Sequence, residues 1–185
     1  RVPVLVGITD TSFAESVRLA GHAAESGASA VVRAPPYYFP AGQPELLEYL
    51  HHLVPKLPLP LFLYNMPAMT KVDIAVDTLR QASEMDGIIG FKDSSGNMIR
   101  YHEYIEAMRE RPDFSLLMGP EELLGESVLF GGHGGVCGGA NVSPRLFVDM
   151  FDAAVAGDMP LVLELQRGIF AHRRLYACGR YTSGM

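Results

Sequence analysis

Short apolar runs begin near Val2, Ala30, Pro60, Ile88, Phe114 and Gly135. They recur every ~20–30 residues, and most intervals hold one stretch whose apolar residues follow helical spacing, which predicts repeated βα units and a parallel sheet carrying helices. After the strand-like VPVLVGITD, the residues Ser12-Phe13-Ala14-Glu15 read as a capping box. The helix they open runs through Val17, Leu19, Ala20 and Ala23 and stops at Gly27, a residue suited to the position just past a helix end. ASAVVRA is the next strand and PPYYFPAGQP a turn-rich connection. Pro44 then suits the first turn of a helix with Leu46, Leu47, Leu50 and Leu53 on one face. LPLFLY predicts a strand, 74–85 a helix, IIGFK a strand, 97–109 a helix, FSLLMG a strand and 121–130 a helix. The glycine-rich GGHGGVCGGAN predicts a last short strand with its exit loop. Ser143-Pro144 opens a helix to Ala156, Gly157-Asp158 is a turn, and Pro160 opens a final helix of about fifteen residues.

Six βα units with no GxGxxG fingerprint favour a barrel over an open dinucleotide-binding sheet. Six strands are fewer than the eight of a closed (β/α)8 TIM barrel, and the chain starts at Arg1 inside a strand-like run. The expectation is therefore one α/β domain over residues 1–185. It would be a partial (β/α)8 barrel covering roughly strands 3 to 8, with the N-terminal βα units and C-terminal helices missing.

Composition narrows the function classes. Of 185 residues, 48% are hydrophobic, enough for a sizeable core, and the net charge of -6 with scattered Lys and Arg argues against a nucleic-acid surface. No apolar run approaches the ~20 residues that span a bilayer. Cys137 and Cys178 make no CxxC or metal spacing, so a reduced, cytoplasmic protein is expected, with no cofactor.

The residue that most needs an explanation is Lys92, which ends the apolar run IIGFK. An ammonium closing a buried strand is costly unless it has a partner or sheds its proton, and a neutral amine is a nucleophile toward a carbonyl carbon. The plain alternative is a solvated lysine or an ion pair with Asp93. Tyr64 ends the preceding run, LPLFLYN, and in a barrel both residues would sit at the C-terminal ends of consecutive strands, where active sites form. Alternation puts Ile88, Gly90 and Lys92 on one face, with Gly90 leaving room below the lysine. A lysine that forms a Schiff base needs a proton shuttle, and a tyrosine hydroxyl within hydrogen-bond reach can serve.

LFLYNMP, with GFKDSSG placing its lysine 28 positions after Tyr64, resembles the dihydrodipicolinate synthase / N-acetylneuraminate lyase family of pyruvate-type class I aldolases. APPYYFP, the GGHGGV run and GGANVSP match in the family's order, and the resemblance runs from VPVLVGIT to LYACGRYTSG. It implies a (β/α)8-barrel lyase in which Lys92 is the Schiff-base lysine and Tyr64 the proton-relay tyrosine. Tyr37 resembles the tyrosine that members reach across a subunit interface to complete the relay, with Tyr38 as the other register. The chain is thus expected to work as a homodimer or homotetramer on a small 2-oxo acid, with no nucleic-acid or membrane partner. Val136 and Gly119 match positions lining the pyruvate site. Met69, in YNMPAMTK, stands where the synthase branch carries an arginine for its second substrate's carboxylate, which points to another aldehyde or sugar-acid partner. Arg33 and Lys71 are the alternative cations. Dehydration of a 2-keto-3-deoxy sugar acid through the same imine, or non-catalytic sensing of a 2-oxo acid, are the competing functions.

Other constellations are weaker. His22, His51, His52 and His102 fall on helices, where packing and solvent account for them, and His133 falls in a turn before the last strand. Hence no metal site is expected. The GGHGGVCGG run could cradle a phosphate, although its glycines more simply permit tight turns. Cys137 reads as a small core residue.

Overall fold

The computed structural model describes residues 2–178. The chain forms two compact units, Arg1–Leu116 and Leu117–Met185. The first contains β1 (Leu5–Gly7), α1 (Phe13–Glu25), β2 (Ala30–Arg33), α2 (Gln43–Leu53), β3 (Leu61–Asn65), the short α3 (Pro67–Thr70), α4 (Val76–Ser83), β4 (Ile88–Asp93) and α5 (Met98–Ala107). β1 pairs with β2, β2 with β3 and β3 with β4, all parallel. This is the α/β pattern of strand, helix and neighbouring strand that the apolar runs predicted.

The local causes are mostly as expected. Ser12 caps α1, its hydroxyl accepting from the Glu15 amide at 3.3 Å. The box is only half made, because the Glu15 carboxylate turns to Arg18 instead. Gly27, at φ 81°, follows the helix in the left-handed conformation that favours glycine. On α2, Leu46, Leu50 and Leu53 are buried, at the spacing that puts them on one stripe. The helix expected over 74–85 is shorter, Val76–Ser83. It follows the unexpected single turn of α3, which Pro67 opens and Lys71 ends at φ 62°. Below the helices lie Ile8, Leu61, Ile74, Leu79, Phe91 and Phe114, all fully buried. Phe91 of β4 meets the edge of Tyr104 of α5 with ring centroids 4.8 Å apart.

The boundary between the units crosses β5 (Ser115–Met118). In the second unit β5 pairs in parallel with β6 (Gly134–Gly135), two residues long. A single 3-10 turn, Glu121–Leu123, precedes α6 (Leu124–Leu129), so the helix expected over 121–130 is split. The glycine run yields β6 and then a 3-10 turn, Gly138–Asn141. α7 (Pro144–Ala156) ends at Gly157, φ 69°, and α8 (Met159–His172) follows. Leu124, Phe147, Met150, Val162 and Ile169 form the core here, with Cys137 packed against it. The last part of the run LYACGRYTSG lies outside the described residues. No helix among the described residues is long and apolar enough to cross a membrane.

Gly90 carries a packing constraint in the first unit. A Cβ there would lie 2.1 Å from Cε1 of Phe62, so the aromatic ring occupies the space that a side chain would need. The room expected beneath Lys92 is filled by this ring. The pairing of β3 and β4 also shifts between Leu61 and Phe62, so that Ile88 stands opposite Leu61 and Gly90 opposite Phe62. The simple alternation expected over Ile88, Gly90 and Lys92 is interrupted, and only Gly90 and Lys92 keep it. Gly90→Ala should cost about 1–3 kcal/mol through overpacking, read as a lower denaturant midpoint with unchanged slope. An unaltered midpoint would mean that the ring moves aside freely.

Candidate active site

β3 and β4 each close on two polar residues, Tyr64-Asn65 and Lys92-Asp93. The register pairs Tyr64 with Lys92 and Asn65 with Asp93. Residues directly opposite on adjacent strands share a face, and successive residues alternate, so one pair goes to each side of the sheet. Tyr64 and Lys92 are half-buried. The Lys92 Nζ lies over the Tyr64 ring, 4.3 Å from its centroid, a geometry in which an ammonium is attracted to the ring face. The contact is therefore made with the ring, where a hydrogen bond to the hydroxyl was expected. Among the described residues, Lys92 forms no ion pair.

Asn65 and Asp93 are fully buried on the other face. The Asn65 side-chain amide donates to Asp93 Oδ1 at 2.8 Å and to Asp73 Oδ1 at 2.9 Å, and its carbonyl oxygen accepts from the Ile74 amide at 3.0 Å. Asp93 also accepts from the Ser95 hydroxyl at 2.8 Å and the Ser95 amide at 3.2 Å. The Ser95 hydroxyl in turn accepts from the Asn97 amide, and Asn97 caps α5. These bonds replace the Lys92–Asp93 ion pair considered from the sequence. The Asp93 carboxyl points away from Lys92 and is held by neutral donors. Burial pushes its pKa above the usual carboxylate range, although the bonds from Asn65 and Ser95 act the other way. Burial likewise raises the Tyr101 hydroxyl, which is buried with no hydrogen-bond partner among the described residues. Sequence reasoning missed the Asn65–Asp93–Ser95 network. Its signal was there in two polar residues closing both apolar runs, which period two sends to opposite faces.

Tyr37 and Tyr38 stand in the turn after β2, 44% and 74% exposed. Tyr38 meets the edge of Phe39 at 4.9 Å, forming an aromatic pair open to solvent. Met69, on α3, is exposed too. The two alternative cations are already engaged. Lys71 Nζ donates to the Ala68 carbonyl at 2.8 Å, and Arg33 is 2% exposed, opposite Leu63 rather than on the Tyr64 face. In the second unit, Val136 is half exposed and its amide donates to the Met118 carbonyl at 2.9 Å. Gly119 lines a cavity of about 270 Å3 with Glu121, Glu122, Arg173 and Tyr176. Glu121 is buried and accepts from the Gly139 amide and the Tyr176 hydroxyl, both at 2.7 Å. Among the described residues no group of three or more His, Cys, Asp or Glu could hold a metal ion.

The Asp93 environment has a measurable consequence. Its folded pKa lies above the unfolded value, so the native state holds the proton more tightly, and stability falls as pH rises from about 4 through the raised native value. Denaturation midpoints should decline less over that interval in Asp93→Asn than in the wild type. Parallel profiles for the two proteins would remove the assignment.

The sequence profile of the dihydrodipicolinate synthetase family matches residues 1–176. The 4-hydroxy-tetrahydrodipicolinate synthase of Aromatoleum aromaticum is 37% identical over 177 residues, covering 95% of this chain and 60% of that protein. A probable 2-dehydro-3-deoxy-D-pentonate aldolase of Escherichia coli K12 is 32% identical, covering 96% of this chain and 60% of that protein. The solved structure of dihydrodipicolinate synthase from Bacteroides thetaiotaomicron superposes with a TM-score of 0.96 at 53% identity, covering 100% of this chain and 63% of that one. The chain thus spans about three fifths of the length of these proteins. With its motifs in order, its parallel βα units and this match along almost its whole length, the chain belongs to the dihydrodipicolinate synthetase family.

Proposed function

We propose that this chain is the greater part of a (β/α)8-barrel lyase, its six strands the third to the eighth, which joins or cleaves a 2-oxo acid and an aldehyde through a Schiff base on Lys92. The observation that carries the reading is the pairing of Tyr64 and Lys92 at the ends of adjacent parallel strands, with Nζ and ring in contact. The deprotonated amine attacks the C2 ketone of pyruvate, and the carbinolamine loses water to give a protonated imine. In the cleavage direction the imine forms instead on the C2 ketone of a longer 2-oxo acid; its C4 hydroxyl gives up a proton, the C3–C4 bond breaks to release the aldehyde, and the electron pair flows into the imine to leave an enamine. Protonation at C3 and hydrolysis release pyruvate and restore the lysine. Condensation is the reverse. Tyr64 carries the protons of these steps, its hydroxyl swinging to the reacting oxygen once the ring no longer faces an ammonium.

The turn tyrosine completes the relay from a neighbouring subunit, in a homodimer or homotetramer. Tyr37 holds this role in the register that the motif suggests, with Tyr38, the more exposed of the two, as the other register. Val136 and Gly119 are assigned to the 2-oxo acid site by their place in the motif order. The exposed Met69 supplies no charge for a second carboxylate, which favours a neutral aldehyde or sugar-acid partner such as the one named for the E. coli relative.

Lys92→Ala in the full-length protein should lower turnover of a 2-keto-3-deoxy acid by at least about 10^4-fold with the fold intact, and Tyr64→Phe by about 10^2-fold or more. Substantial activity in Lys92→Ala would rule out an obligatory imine on Lys92. Product analysis separates the chemistries. Pyruvate plus an aldehyde supports cleavage, whereas a dehydrated keto acid would show that the imine eliminates water instead.

A further inference from the structure

Arg33 is a buried cation that the proposed chemistry does not use. It closes β2, is 2% exposed and forms no ion pair among the described residues. Burial pulls its pKa below the usual guanidinium value, so holding its charge there costs stability. Its donors are nevertheless well placed. Nε donates to the Tyr49 hydroxyl at 2.9 Å, Nη2 to the same hydroxyl and to the Asp10 carbonyl at 3.0 Å, and Nη1 to the Ala34 carbonyl. The guanidinium also stacks on the Tyr49 ring, 4.6 Å from its centroid, and Phe13 of α1 meets that ring edge-on at 5.5 Å. The Ala34 amide donates to the Thr9 hydroxyl at 3.0 Å.

These contacts tie together the exit of β1 at Thr9-Asp10, the exit of β2 at Ala34 and the body of α2 at Tyr49. Ala34 is the residue from which the PPYYFP turn departs. We infer that Arg33 is a positioning residue for the relay tyrosine, its planar fork fixing the angle at which the Pro35–Phe39 segment leaves the sheet. A planar donor with a fixed spread suits three acceptors on three segments better than a lysine would. The inference rests on the function proposed above, since it gives the turn tyrosine a chemical task. The segment also explains the buried charge. A strand end on the helix-covered face would otherwise take an apolar residue.

The test is exchange of the pyruvate C3 hydrogens for deuterium in the full-length protein, followed by NMR, because exchange needs the imine, the enamine and the relay but no second substrate. Tyr49→Phe keeps the ring and removes two of the bonds, so it serves where Arg33→Met fails to fold. Either variant, if folded, should lower the exchange rate about tenfold or more with the KM for pyruvate within about twofold. In a Tyr37→Phe or Tyr38→Phe background, whichever slows exchange while leaving it measurable, the same change should cost less than about twofold, since residues acting through one another are not additive. Wild-type exchange in both folded variants, or equal losses in both backgrounds, would overturn the inference while leaving the Lys92 chemistry in place. Absence of exchange in the wild type itself would instead overturn the imine reading, and this inference with it.

Discussion

The bond from the Asn65 amide to the Asp93 carboxylate ties the ends of β3 and β4 together, and the proposed chemistry depends on that register. Tyr64 and Lys92 precede these two residues by one position each, so whatever fixes Asn65 opposite Asp93 also fixes the tyrosine opposite the lysine. A slip of one residue would send Lys92 to the helix-covered face, among apolar groups, and bring Asp93 to the other. The network reaches further, through Asp73 and the Ile74 amide to the start of α4 and through Ser95 to the cap of α5. A fully satisfied buried polar network costs little, whereas a half-satisfied one is expensive. The register is therefore defended by every bond that would be lost together.

The two faces of these strand ends have different tasks. On the helix-covered face, Arg33 and Asp93 are charges or potential charges held by hydrogen bonds, and they set the backbone. On the other face, the Lys92 Nζ lies over the Tyr64 ring, with Phe62 packed into the space over Gly90.

Much of this was legible in the sequence. The βα alternation, the α1 cap at Ser12, the stops at Gly27 and Gly157 and the Tyr64/Lys92 pair all follow from local rules: periodicity, capping and left-handed glycine. What was not legible depends on contacts between segments distant in the chain. Glycine at position 90 signals space, and only the fold shows that Phe62 fills it. Glu15 completes a capping box by spacing, yet Arg18 competes for its carboxylate. Arg33 looks like an anion-binding candidate until Tyr49, sixteen residues away, is seen to take its donors. The single turn of α3 was hidden because it carries no apolar stripe to reveal it.

In the proposed mechanism the Lys92 amine becomes covalently bonded to a 2-oxo acid. Borohydride reduction of the full-length protein with saturating pyruvate, followed by peptide mass mapping, tests it most directly. One reduced pyruvyl adduct is expected, located on Lys92 and absent without pyruvate or without reductant. A folded protein that gives no adduct with pyruvate or with 2-keto-3-deoxy acids, or an adduct on another lysine, would contradict it.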